Sequence, residues 1–437
     1  MNYRKLLALG LIIGINFSLV RLGAEQQSVT LEDCLKAVSE NNRSLKVARE
    51  KIAAAQSRKS EAFSGYLPNL SATGIYTYNH IINKIALFGQ EINMNLHNNW
   101  LGRLSMSQPL YMGGKISENN RQANLGVELA RLDYEKLRDD VLFQVKVSFY
   151  DMLLARQMER INQEAYEVTA EHLRVSQALY DAGKLSAYDL SRVKVQLANQ
   201  KTSLLKAKNN TQLAGDSLLN LLGWEPGPET DFIGQLGYVE KPYKNYEAGL
   251  AAALDNRLEI RQLQCQEKIS DSAISLARSG YLPTLILGSS MARQNNLPIS
   301  PEISWNNSWA TNLTLNIPLF EGGATRSRVQ QAVTQKEQVR LTREQLVNSI
   351  TIEVKQAYYA FAQAQENISG QSQNVDTAKD NLRIAQERYK LGLMSDLEVR
   401  DAELTLTQAE INFYQAIYDY LVAQSRLYKS IGETSEP

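Results

Sequence analysis

Between Trp309 and Leu319 large apolar and small or polar residues alternate. Trp309, Thr311, Leu313, Leu315, Ile317 and Leu319 share one face of an extended chain, and Ala310, Asn312, Thr314 and Asn316 share the other. Residues 100–110 repeat the pattern. Trp100, Gly102, Leu104, Met106 and Leu110 alternate with Arg103, Ser105 and Ser107, and Gln108 interrupts the apolar face. A ten-residue tilted strand rises about 25 Å, the height of the apolar band on an outer-membrane barrel. Aromatics bracket these runs, with Trp100 and Trp309 expected at one end and Tyr66, Tyr111, Tyr281 and Phe320 at the other. Rings in those places suit a membrane–water interface. The pattern predicts strands over about 67–84, 95–111, 282–296 and 305–320.

A different period takes over after each strand pair. Leu137, Val141, Val145, Phe149 and Met152 step by three and four, as do Leu346, Ile350, Val354, Tyr358 and Phe361. These are narrow helical seams, and the flanking positions are rich in Lys, Arg, Glu, Gln and Asn. Residues 115–181 contain no Pro and only Gly126 among glycines. As one helix they would reach about 100 Å. Each long helix stops at a similar turn, "YDAGKLSAYD" or "YKLGLMSDLE". Gly183 and Gly392 suit the left-handed end of a helix, and Ser186 and Ser395 suit the cap of the next. Nearer the start, Thr30 reads as a helix cap with Asp33 in the first turn, and a second helix covers about 43–63.

The chain is a tandem repeat. "SGYLPNL" at 64–70 returns as "SGYLPTL" at 279–285, 215 positions on, and "QPLYMGG" at 108–114 returns as "IPLFEGG" at 317–323, 209 positions on. The organisation expected is a leader over 1–24, a first repeat over 25–223, a linker over 224–244 and a second repeat over 245–437. The leader rests on Arg4 and Lys5, the apolar run Leu6–Val20 and a cleavage site at Ala24. The fold class is mainly α with a transmembrane β-barrel, each repeat giving two strands and a long helical hairpin. Four strands cannot close a barrel, and hydrocarbon tolerates no open sheet edge, so several chains must pool their strands.

Composition narrows the function. Lys plus Arg and Asp plus Glu both count 47, so no charge excess points to nucleic acid. His80, His97 and His172 are scattered without ligand or triad spacing, and the Gly-Gly pairs lack a phosphate-loop pattern, so no enzyme, cofactor or metal centre is expected. Cys34 and Cys265 occupy unmatched places in the repeat and read as free, buried thiols.

The ordered set "TLEDCLKAVSENNRSLKVAR", "GYLP" before each first strand, "PLYMGG" and "PLFEGG" after each second strand, and the paired tips resembles the TolC-like outer membrane efflux protein family over nearly all of the mature chain. The resemblance implies a homotrimer in outer-membrane lipid, with a twelve-stranded barrel continuing into a twelve-helix periplasmic tunnel. It implies a periplasmic adaptor and an inner-membrane pump as partners, and the linker as a belt around the tunnel. It puts Glu398 and Asp401 at acidic rings of the periplasmic constriction, and Asp189 and Tyr389 in the network that closes it. The Arg expected in that network aligns with Met394, and Lys184 is a candidate substitute. The tips, Gly183, Lys184, Leu185 and Ser186 with Gly392, Leu393, Met394 and Ser395, are expected to meet the adaptor. The function expected is a passive exit duct for efflux or type I secretion, with cargo (drug, metal or protein) left open. The alternative is a periplasmic coiled-coil scaffold without a pore, which would need no detergent.

Overall fold

A computed structural model describes residues 27–87, 89–93, 95–225, 230–239, 245–296 and 304–433. The expected leader lies outside the described residues.

The first repeat runs β1 (Gln27–Val29), α1 (Leu31–Asn41), α2 (Arg43–Ser64), β2 (Asn69–Tyr78), β3 (Lys84–Leu87), β4 (Gln90–Asn93), β5 (Asn98–Tyr111), α3 (Lys115–Asp181) and α4 (Ala187–Leu222). The linker holds β6 (Thr230–Phe232). The second repeat runs α5 (Tyr246–Asn256), α6 (Leu258–Arg278), β7 (Thr284–Asn296), β8 (Ser304–Asn316), α7 (Ala324–Lys390) and α8 (Asp396–Ser430). The starts of α1 and α5 (31 and 246), α2 and α6 (43 and 258), and β2 and β7 (69 and 284) differ by 215. Those of α3 and α7 (115 and 324) and α4 and α8 (187 and 396) differ by 209.

One antiparallel sheet joins the repeats in the order β2-β5-β7-β8. Its register aligns Ala72, Leu104, Met291 and Trp309 across all four strands. Cross-strand partners share a face, and alternate residues share it too. Leu70, Met106, Leu287, Leu313 and Leu315 therefore join that row, while Thr73, Arg103, Ser105, Ser290, Asn312 and Thr314 lie on the opposite face. The sheet has an apolar side and a polar side, and within one chain both are open to solvent. Gln108, the exception, donates from Nε2 to the carbonyls of Tyr66 and Pro109, both at 2.9 Å. Its amide is satisfied where the sheet meets the helices.

Two strand expectations are corrected. The first strand ends at Tyr78, not near 84, and β3 and β4 form a separate small hairpin. Asn79 Nδ2 donates to the Leu96 carbonyl at 2.6 Å, and Asn95 accepts from the Asn83 amide at 2.8 Å, so side chains take over the main-chain partners that a longer ladder would need. The last strand stops at Asn316, before Pro318, which has no amide hydrogen to donate. The register also places Trp305, not Trp309, opposite Asn295, whose Oδ1 accepts from the amide of Trp100. Trp309 lies four residues farther along its strand, in the row of Leu104.

The chain passes from strand to long helix through Gly113-Gly114 and Gly322-Gly323, all at positive φ between 59° and 86°. Two consecutive left-handed residues suit glycine alone. From there α3 and α7 each run 67 residues. Each is covered first by a short helix of its own repeat, α2 or α6, and then by its hairpin partner, α4 or α8. The predicted seams are the core. Val141, Val145, Phe149 and Met152 pack with Cys34, Val38, Leu218 and Leu222 in the first repeat, and Ile350 and Val354 pack with Ala253, Ile260 and Ile431 in the second. Cys34 and Cys265 are free and buried. Burial, with the nearby Asp33 charge, pushes the Cys34 thiol up to about 12.

The linker binds across both repeats. β6 pairs in parallel with β1, Phe232 stacks edge-on against Phe149, and Arg156 holds Asp231 at 2.8 Å. Farther on, Tyr420 of α8 donates to the Val239 carbonyl at 3.0 Å.

Candidate functional site

The ends of the two helical hairpins carry the residues singled out from the sequence. Both turns have one geometry. Gly183 and Gly392 sit at φ 72°. The amide of Lys184 returns to the Leu179 carbonyl at 2.8 Å, and that of Leu393 to the Arg388 carbonyl at 2.9 Å. Such closures satisfy the last carbonyls of a helix that must reverse. Ser186 and Ser395 then cap α4 and α8.

The capping bonds bear on the acidic residues. Glu398 Oε2 accepts from the Ser395 amide at 2.8 Å and from its hydroxyl at 2.6 Å, completing a capping box. These bonds hold the Glu398 carboxyl below its ordinary range. Asp401, one turn on, is exposed on the same side of α8. Asp189 Oδ2 accepts from the Ser186 hydroxyl at 2.6 Å. Lys184 is exposed and joins none of the ion pairs among the described residues of one chain. Met394 is half-buried against the cluster of Ala385, Tyr389 and Val399. An apolar side chain fills that place.

Tyr389 is buried and bonded, with Ser176 of α3 as its partner at 3.0 Å. Its ring meets His172 edge-on at 5.2 Å. His172 was not legible as a site residue. It is 7% exposed, with Nε2 3.1 Å from Asp396 Oδ1 and Nδ1 3.2 Å from Glu403 Oε1. Asp396 and Glu403 are each 6% exposed. These are ion-pair distances, although neither ring N–H is well aligned with its carboxylate. Burial favours the neutral ring, but Asp396 and Glu403 outweigh it and raise His172 to about 9. The imidazolium is therefore the form present at neutral pH. A crevice of about 360 Å³, lined by Glu171, Val175, Tyr389, Lys390 and Val399 among others, opens onto His172 and Glu403. The available signal was the seam of α3 turning polar near its end, where buried Thr169, His172 and Ser176 step by three and four.

Such a chain, with a strand sheet apolar on one face and standing on helical hairpins with ordered tips, is a component of a membrane duct. It belongs to the outer membrane efflux protein family, whose profile matches residues 34–224 and 249–433. The probable outer membrane lipoprotein SilC of Salmonella typhimurium is 23% identical over 90% of this chain and 83% of its own length. The alkaline protease secretion protein AprF of Pseudomonas aeruginosa is 23% identical over 78% of this chain and 71% of its own. The solved outer-membrane channel OprN superposes with a TM-score of 0.77 at 20% identity, covering 92% of this chain and 90% of that one. The chain is a passive exit duct of the efflux and type I secretion class and not an enzyme. No helix among the described residues is long and apolar enough to cross a membrane.

Proposed function

We propose that three copies of the chain close a twelve-stranded barrel in the outer membrane and a twelve-helix tunnel in the periplasm. The observation that carries this reading is the sheet. Its order leaves β2 and β8 as edges, and the apolar row Ala72, Leu104, Met291 and Trp309 crosses one face from edge to edge. Burial of that face in hydrocarbon requires each edge to find a partner, and β8 against β2 of the next copy supplies both. Tyr66, Tyr111, Tyr281 and Phe320 flank the strands where the sheet meets the helices, which suits the periplasmic interface.

The tips are the docking end. Leu391 and Leu393 are 73% and 74% exposed, and Tyr188 is exposed beside the other turn. These exposed apolar side chains, on turns built from Gly183, Lys184, Leu185 and Ser186 and from Gly392, Leu393, Met394 and Ser395, suit the helical tips of a periplasmic adaptor. The adaptor connects the duct to an inner-membrane pump, which supplies energy and chooses cargo. Glu398 and Asp401 face the lumen and favour cations. Asp189 and Tyr389 belong to the closing network.

Purified protein added to planar bilayers tests the reading. Stepwise conductance increments are expected. A scaffold without a pore would leave the bilayer silent at every protein concentration.

A further inference from the structure

We infer that His172 is a positioning residue of the closed duct, clasping the first hairpin to the second through Asp396 and Glu403. The inference rests on the reading of the chain as a duct.

The three groups come from the two hairpins. His172 is on α3, nine residues before its end at Asp181, while Asp396 opens α8 and Glu403 lies two turns along it. They converge at the level of the tips, where opening would have to part the hairpins. Their burial makes the contact matter. A buried carboxylate without a counter-charge is costly, and losing one partner of such a cluster costs far more than losing an exposed pair. Asp396 is further suited to its negative charge by the N-terminus of α8.

Parting the hairpins separates His172 from both carboxylates and lets water in from the adjoining crevice. The groups facing the cluster come from four helices. They are Glu167 and Glu171 of α3, Tyr389 and Lys390 of α7, Asp396 and Glu403 of α8, and Asp189 of α4, whose charge reaches Tyr389. Glu171 is held by Arg174 at 2.7 and 2.8 Å. A folded value for His172 above its ordinary 6.5 fixes the sign. The clasp is complete below about 6.5 and is lost as pH rises through about 9.

The test is conductance of the full-length oligomer in planar bilayers between pH 6 and 10, for wild type, His172→Gln and His172→Lys. Wild type should conduct weakly to pH 8 and severalfold more as pH passes 9. His172→Gln should show the raised conductance throughout, and His172→Lys should stay low with no step below pH 10. If the Lys variant fails to assemble, Glu403→Gln gives the second readout and should conduct more than wild type at pH 7. A His172→Gln duct with wild-type conductance and the wild-type pH profile overturns the clasp, even if it melts at a lower temperature. A wild type that forms no pores removes the duct reading and the clasp with it, whereas pores indifferent to residue 172 remove the clasp alone.

Discussion

Lys429 of α8 holds its ammonium 2.6 Å from the carboxylate of Asp140 on α3. Lys136 of α3 reaches the same carboxylate from 3.0 Å. The pair joins the two repeats at mid-height, well away from the tips. Burial raises the Asp140 carboxyl, but the two ammonium groups outweigh it and hold it below its ordinary 3.8. The stability it contributes is therefore present above about pH 3.8 and lost as pH falls through the lowered value. Asp140→Asn should lower the apparent melting temperature at pH 7 by about one degree, in keeping with about 1 kcal/mol for a half-buried pair. The difference from wild type should shrink below pH 4. Thermal melts in detergent from pH 3 to 8 check this, and a gap independent of pH would remove Asp140 from the seam.

The two Gly-Gly turns should respond unequally to the same substitution. A Cβ on Gly113 would lie 2.9 Å from Leu282 Cβ and from the Ser279 carbonyl, whereas one on Gly322 meets nothing within 4 Å in the chain. Both positions carry the left-handed cost of about 1 kcal/mol. Gly113→Ala adds an overlap between the β5–α3 corner and the start of β7, so it should cost several kcal/mol in all. Gly322→Ala should assemble in near-normal yield and Gly113→Ala should not. Equal yields of detergent-stable oligomer would show that the corner can move aside.

Glu398 combines a helix cap with a charge on the exposed side of α8, and its two roles separate by substitution. Glu398→Gln retains an acceptor for Ser395, while Glu398→Ala loses it at about 1 kcal/mol. The double variant Glu398→Gln/Asp401→Asn should shift the reversal potential under a KCl gradient toward zero without lowering thermal stability. An unchanged reversal potential would take both carboxylates off the ion path.

The strands, hairpins and repeat offsets were legible because each is written locally. Period two marks the sheet, period three-and-four marks the seams, and Gly, Pro and Ser mark the corners. The end of β2 was not, because Asn79 and Asn95 stop the ladder with side-chain bonds to carbonyls and amides on the facing segment. The His172 cluster was equally hidden. Its two carboxylates lie more than 220 positions from His172, and a lone histidine in a polar helix resembles a solvated one. Only the packing of α3 against α8 reveals its partners. The resemblance to a known family points to Met394 and Lys184 in the turns, whereas the buried charges stand beside the turns, on α3 and α8.

The central claim is that several chains pool their strands into one barrel. The most direct measurement is the protein mass of the purified particle in mild detergent, by light scattering with the bound detergent subtracted. The account predicts three chains per particle and precipitation when detergent is withdrawn. A monomer, or an oligomer that stays in solution without detergent, would contradict it.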